Sequence, residues 1–126
     1  MECSVKQCDY SDIKFIPEQY DTGYATFDKK KNPEIWFKAE NNKEIIGCGC
    51  IHLVSKLRGR LCNGFVIPKF RGNGVIQKIV MCRIEWAIRN GLHTVDTRTV
   101  KKYYDNFGFK KIKDYKVGGS WLEMNL

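Results

Sequence analysis

The chain has 126 residues, 43% of them apolar and 13% aromatic, which is enough for one domain around a single continuous core and leaves no room for a second. The opening segment, Met1 to Tyr10, carries Glu2, Lys6 and Asp9 without an apolar run, and no later stretch reaches membrane-spanning length. A secreted or membrane-embedded protein is therefore not expected, and a cytoplasmic one is. The formal charge of +8 is lopsided: residues 1–50 hold seven Lys/Arg against nine Asp/Glu, and residues 51–126 hold fifteen against five. A basic C-terminal half suits a phosphorylated cofactor, a nucleic acid or an acidic protein, and charge alone does not separate them.

The six cysteines would suggest a disulfide framework in a secreted chain of this size. In a reducing compartment they are expected as thiols used as small buried hydrophobes. Cys48 and Cys50 share one strand face, and neither a C-x-x-C pair nor a His-x-His cluster accompanies them, so no metal site is expected.

In chain order, Ser4 to Lys6 reads as a short first strand. Ser11-Asp12 can cap a helical region that continues, interrupted by Pro17, towards Phe27. Lys29-Lys30-Lys31 followed by Asn32-Pro33 reads as a solvated loop. Glu34 to Glu40 and Glu44 to Val54 are β-rich runs joined by Asn41-Asn42-Lys43, the composition of a hairpin turn. A third strand, Arg60 to Ile67, follows a turn around Lys56 to Gly59. Asn63-Gly64 could end that strand as a hairpin, but only Phe65 to Ile67 would then remain before Pro68, so a bulge is expected.

From Gly74 to Asn90 the residues Ile76, Val80, Ile84, Ala87 and Ile88 recur at helical spacing opposite Gln77, Lys78, Glu85 and Arg89, and Gly91 supplies the stop. His93 to Thr97 is a strand candidate and Arg98 to Asn106 a short helix. Phe109 to Tyr115 and Ser120 to Asn125 complete the chain as two strands.

The chemically informative segment runs from Phe65 to Val75, where a strand enters a glycine-rich loop and then a helix. Amides of such a loop and of the first helical turn lack internal partners, and the helix dipole adds positive potential, so a diphosphate can satisfy them. Gly72 and Gly74 permit the tight turn and a close approach of the anion. Lys69, Arg71 and Lys78 cluster around it as candidate phosphate partners. Further on comes Tyr104-Asp105-Asn106-Phe107-Gly108-Phe109.

With both segments in view, the sequence resembles the GNAT acyltransferase superfamily. Its cofactor motif reads Arg/Gln-x-x-Gly-x-Gly/Ala and its later motif Tyr-x-x-x-Gly-Phe; Arg71, Gly74, Tyr104, Gly108 and Phe109 match. The resemblance implies an α/β (α+β) fold with a mixed, mostly antiparallel central sheet flanked by helices. Its fourth and fifth strands, here Arg60 to Ile67 and His93 to Thr97, would splay apart around the pantetheine arm. It further implies acetyl-CoA as co-substrate, bound by Phe65, Val66, Ile67, Arg71, Gly72, Asn73, Gly74, Val75 and Ile76. Two positions depart from the family pattern: Ile76 stands at the final Gly/Ala, and Thr97 at the Asn seven residues before the tyrosine.

An N-acetyltransferase acting by direct attack of an amine in a ternary complex is thus expected. Tyr104 is its candidate general acid, with Tyr103 as the fallback. The alternative for Tyr104 is a core ring, because Val100, Tyr104 and Phe107 would share a helical face. A backbone N–H of Phe65 or Val66 would serve the thioester oxygen. His52, Asp96 and Glu123 are candidates for the base by type only, and a water relay is the alternative. Cys62 lacks a histidine partner for a nucleophilic role. The competing expectations are an inactive, acyl-CoA-binding protein of the same fold and an enzyme whose acceptor amine is on a nucleic acid. Expected partners are acetyl-CoA and an unidentified amine, no membrane, and at most a second copy of the chain.

Overall fold

The computed structural model describes residues 1–23 and 33–126. Their elements run β1 (Ser4–Cys8), α1 (Tyr10–Ile13), α2 (Phe15–Gln19), β2 (Glu34–Asn41), β3 (Glu44–Leu53), β4 (Arg58–Val66), a 3-10 turn (Pro68–Phe70), α3 (Val75–Arg89), β5 (Thr94–Thr99), a second 3-10 turn (Asp105–Phe107), β6 (Lys110–Asp114) and β7 (Ser120–Asn125). The strands form one sheet in the order β1-β2-β3-β4-β5-β7-β6. All pairings are antiparallel except β4 with β5, which is the mixed, mostly antiparallel arrangement expected.

The β2–β3 hairpin follows from local chemistry. Asn42 and Lys43 both have positive φ, 50° and 68°, as a two-residue type I′ turn requires, and Asn tolerates that conformation better than most residues. Along β2, period-two alternation sends Trp36 and Phe37 to opposite faces. Trp36 packs with Ile13, Ile16, Cys48 and Cys50 under α1 and α2. Phe37 packs with Ile51, Leu61, Val80 and Ile84 under α3, so each face of the sheet receives one helical layer.

A second group, Ala39, Ile46 and Val66 with Val75 and Ile79, seats the N-terminal half of α3. Each fully buried Ile or Val contributes about 1.5–3 kcal/mol, so this stripe fixes where the helix begins relative to the end of β4. Close approach needs glycine on β3: a Cβ on Gly49 would lie 2.9 Å from Ile79 Cγ2 and 3.1 Å from Arg83 Cζ.

Three expectations are corrected. The buried stripe of α3 is Val75, Ile79, Val80, Arg83, Ile84 and Ala87, while Ile88 is 57% exposed. The helical period was legible, but which edge of the stripe met the sheet depended on the glycine-lined surface of β3. The helix expected over Arg98 to Asn106 is absent, because β5 continues to Thr99 by pairing with Ser120 of β7; only Asp105–Phe107 turns, as a 3-10 segment. The N-terminal helical region begins at Tyr10, ahead of Ser11-Asp12, and is two short helices that end at Gln19. Its expected continuation towards Phe27, like the Lys29-Lys30-Lys31 loop, lies outside the described residues.

Candidate active site

The parallel pairing of β4 with β5 spans only Arg58–Arg60 against Thr94–Asp96. Past it the strands part. Thr97 Oγ1 donates to Leu61 O at 2.9 Å where they separate, so Thr97 supplies a buried polar clasp at the position where the family commonly has Asn. A bulge bends β4 at the same level: Cys48 faces Phe65 and Cys50 faces Cys62, which leaves Asn63 and Gly64 to share Gly49. Asn63 takes φ 56°, so the bulge expected from Asn63-Gly64 is present.

Two cavities, of about 440 Å³ and about 660 Å³, follow this opening. The larger is lined by Phe65, Val66, Arg71, Gly72, Gly74, Val75 and Ile76 of the expected set. Gly72 and Gly74 have φ 82° and 76°, and a Cβ on either would meet nothing within 4 Å. Among the described residues the amides from Gly72 to Gln77 make no backbone hydrogen bond, the first being Lys78 N to Gly74 O at 3.3 Å. No side chain caps the helix. A row of free donors at the positive end of a 15-residue helix has the physical character an anion requires, and its glycines leave the loop open.

The remaining members of the set have different placements. Ile67 is buried and donates its N–H to Ile46 O at 2.9 Å. Asn73 braces the loop, its Nδ2 donating to Phe70 O at 3.1 Å and Arg71 O at 3.4 Å. Arg71 Nε donates to Val66 O at 2.9 Å, and its guanidinium lies 4.9 Å from the centre of the Phe65 ring. Only its terminal nitrogens are left to meet a phosphate. Lys78 Nζ donates to Cys3 O, and Lys69 Nζ lies 3.9 Å from Glu44, so neither is committed to the loop. Ile76 is half-buried, with Cδ1 3.3 Å from the point a Gly64 Cβ would occupy. Its side chain thus sits against the bulge rather than across its own amide.

Tyr104 has a placement compatible with both expectations, a core ring and a group at a cavity. It is 2% exposed, packs edge-on against Phe109 at 5.6 Å, and also lines the smaller cavity. It belongs to the turn before Asp105–Phe107, not to a helix shared with Val100 and Phe107. Tyr103, whose ring centre lies 4.7 Å away, lines both cavities, and burial pushes its phenol well above the ordinary tyrosine range.

The three base candidates lie away from both cavities. Asp96, fully buried, accepts from Arg60 Nε at 2.7 Å and Arg58 Nη1 at 2.9 Å; Arg58 also reaches Glu123 at 2.9 Å. His52 is buried opposite Arg60, and burial pulls its pKa down against the raising effect of Glu34. Cys62 Sγ sits 3.2 Å from Cys50 Sγ, and no histidine lines its cavity among the described residues.

Sequence reasoning missed Arg83. It lies on the buried stripe of α3, four residues after Ile79, where a charged residue at an apolar position was the available signal. The family model of the acetyltransferase (GNAT) family matches residues 4–109. The chain belongs to that family. Among solved structures, this acetyltransferase-family chain is similar to Rv2747 from Mycobacterium tuberculosis in complex with CoA, at 18% identity and TM-score 0.79 over 98% of this chain and 99% of that one. A GNAT family acetyltransferase from Elizabethkingia anophelis with acetyl-CoA bound shares 15% identity and gives TM-score 0.76, covering 98% of each chain. N-acetylglutamate synthase from Neisseria gonorrhoeae, complexed with coenzyme A and N-acetyl-glutamate, shares 13% identity at TM-score 0.76; the match spans this whole chain and 35% of that one. At these identities the likeness is one of fold. No curated protein matches the sequence.

Proposed function

We propose that the protein is a cytoplasmic N-acetyltransferase that binds acetyl-CoA in the β4–β5 opening and passes its acetyl group directly to an amine. The observation that carries this is the row of amides from Gly72 to Gln77 without backbone acceptors, all of whose residues except Asn73 line the larger cavity. A diphosphate satisfies those donors, and the opening between the strands leads from them past Gly64 to Tyr103 and Tyr104. Six free cysteines suit a reducing compartment.

The neutral amine attacks the thioester carbonyl. Neither Asp, Glu nor His lines the smaller cavity among the described residues, so water carries away the amine's proton. Strand alternation favours Val66 as the oxyanion donor. Ile67 N–H bonds towards β3, whereas Val66 O accepts from Arg71 on the other edge, so the Val66 amide points into the opening. Tyr104 returns a proton to the departing thiolate. Arg98 and Lys101 line the smaller cavity without a carboxylate among its described lining residues, which favours an acceptor amine that carries its own anionic group.

Release of free CoA from acetyl-CoA with a panel of amino acids, diamines and peptide amines tests the proposal. Amine-dependent release, strongest with the anionic acceptors, is expected. Tight binding of acetyl-CoA with no release to any amine would instead support an inactive, acyl-CoA-binding protein. A separate check concerns the loop: Gly74→Val forces a β-branched residue into a left-handed conformation, at a cost of about 1–3 kcal/mol, and places methyl groups where the anion sits. CoA affinity measured by calorimetry should fall by about tenfold or more, the size of a lost charge-assisted contact.

A further inference from the structure

Arg83 is the largest fully buried side chain, and its charge faces no carboxylate among the described residues. Nη1 donates to Cys50 O at 3.1 Å and Cys62 O at 3.3 Å, and Nε to Ile79 O at 3.3 Å. These bonds tie α3 to the two strands at the level of the bulge. Nη2 makes no hydrogen bond of good geometry. It lies 3.5 Å from the point where a Cβ on Gly64 would sit, with Tyr103 Oη 3.6 Å from that same point, and Gly64 lines both cavities. Its electrostatic neighbours are, in order, the phenol of Tyr104, the thiol of Cys50 and the phenol of Tyr103.

A neutral donor group would serve these three carbonyls as well, and burying a cation without a counter-charge is unfavourable. The cation gains a partner only when one of the adjacent acids loses its proton. We infer that Arg83 is a positioning residue for proton return: its guanidinium holds the Tyr103–Tyr104 pair and stabilises the tyrosinate formed as Tyr104 protonates the departing CoA. The inference rests on the reading of Tyr104 as the acid. As the tetrahedral adduct collapses, the C–S bond breaks and its electron pair goes to sulfur. The sulfur takes the hydroxyl proton of Tyr104, and the proton shed by the attacking nitrogen returns through cavity water to the tyrosinate, leaving acetamide and CoA thiol.

The groups around the tyrosine pair and the guanidinium are the thiols of Cys50 on β3 and Cys62 on β4, Lys101 beside both cavities, and Arg98 and Tyr115 beside the smaller one; Glu34 on β2 acts on the Cys50 thiol and not on Arg83. Burial raises the Tyr103 phenol and the Arg83 charge works against it, so removing the charge makes a tyrosinate in this pair harder to form. Arg83→Gln keeps donors for the carbonyls without the charge, and Arg83→Met removes both. In each, the tyrosinate absorbance transition and the alkaline limb of kcat should move up by about one pH unit or more. The value of kcat should drop by about tenfold or more, with the Kd for acetyl-CoA little changed. Arg83→Lys should restore the limb, and Arg83→Gln should add little further loss in a Tyr104→Phe background.

A folded Arg83→Gln or Arg83→Met protein with both transitions unmoved overturns the inference, as does full multiplicative loss in the double variant. If both neutral variants fail to fold, Arg83→Lys decides: loss of the wild-type limb despite the retained charge overturns it, and retention supports it. The absorbance titration needs no turnover, so a shift there without acetyl transfer sinks the proposed reaction and leaves the Arg83 pairing intact.

Discussion

Tyr104→Phe should lower kcat by about a hundredfold, the lower end of what a positioned general acid contributes, while the Kd for acetyl-CoA stays within a few-fold of wild type. The phenylalanine ring keeps the edge-on contact with Phe109 and the packing against Val80 and Ile84, so unfolding in urea should change little. That separation is what distinguishes a hydroxyl at a cavity from a ring in a core. Steady-state kinetics with the best acceptor from the amine panel provide the measurement. An unchanged kcat would remove Tyr104 from the acid role and pass it to Tyr103, which lines both cavities.

Asp96→Ala should destabilise the fold by about 3–5 kcal/mol, the usual cost of taking one partner from a buried ion pair. The Asp96 side chain is 0% exposed, while Arg58 and Arg60 retain 32% and 20%, so water relieves part of the unpaired charge and the lower end applies. The position matters more than the number of contacts. Arg58 and Arg60 on β4, Asp96 on β5 and Glu123 on β7 join three strands at the short parallel pairing below the opening. Losing the carboxylate therefore loosens the base from which β4 and β5 diverge. Urea unfolding with a matched Glu123→Ala control gives the comparison, and the control should cost clearly less because Glu123 is part-exposed and, among the described residues, pairs with Arg58 alone. Equal costs would mean that burial of Asp96 is not what holds the strands.

Much of the site was legible because it depends on backbone conformation over a few residues. Gly72 and Gly74 announced a loop with positive φ, and Asn63-Gly64 before Pro68 announced a bulge, since neither feature needs distant residues to decide it. Tyr104 was singled out through its motif, yet its helix was not there. The segment after Thr97 has helical composition, but Arg98 and Thr99 gain partners in Trp121 and Ser120 on β7, and a completed ladder outweighs a weak local preference.

The charged groups were the least legible. Lys69 and Lys78 looked like phosphate partners because they flank the glycine loop, but side-chain direction turned them to Glu44 and Cys3. Asp96 and Glu123 were considered as bases by residue type, and only the register of β4, β5 and β7 reveals them as the two acids of an ion network. Arg83 drew no reading at all, although it stands on the apolar stripe of α3.

The sequence alone determined the hairpin turn at Asn41-Asn42-Lys43, the period of α3 and the glycine-lined start of that helix. Each is set by steric limits on φ or by residue spacing within a turn or two. Tertiary structure decided where β5 ends, which edge of α3 is buried, and that Arg83 lies beside Tyr103 and Tyr104. Those outcomes depend on contacts between residues far apart in the chain, such as Thr97 with Leu61 and Arg83 with Cys50, whose free energy no local window contains.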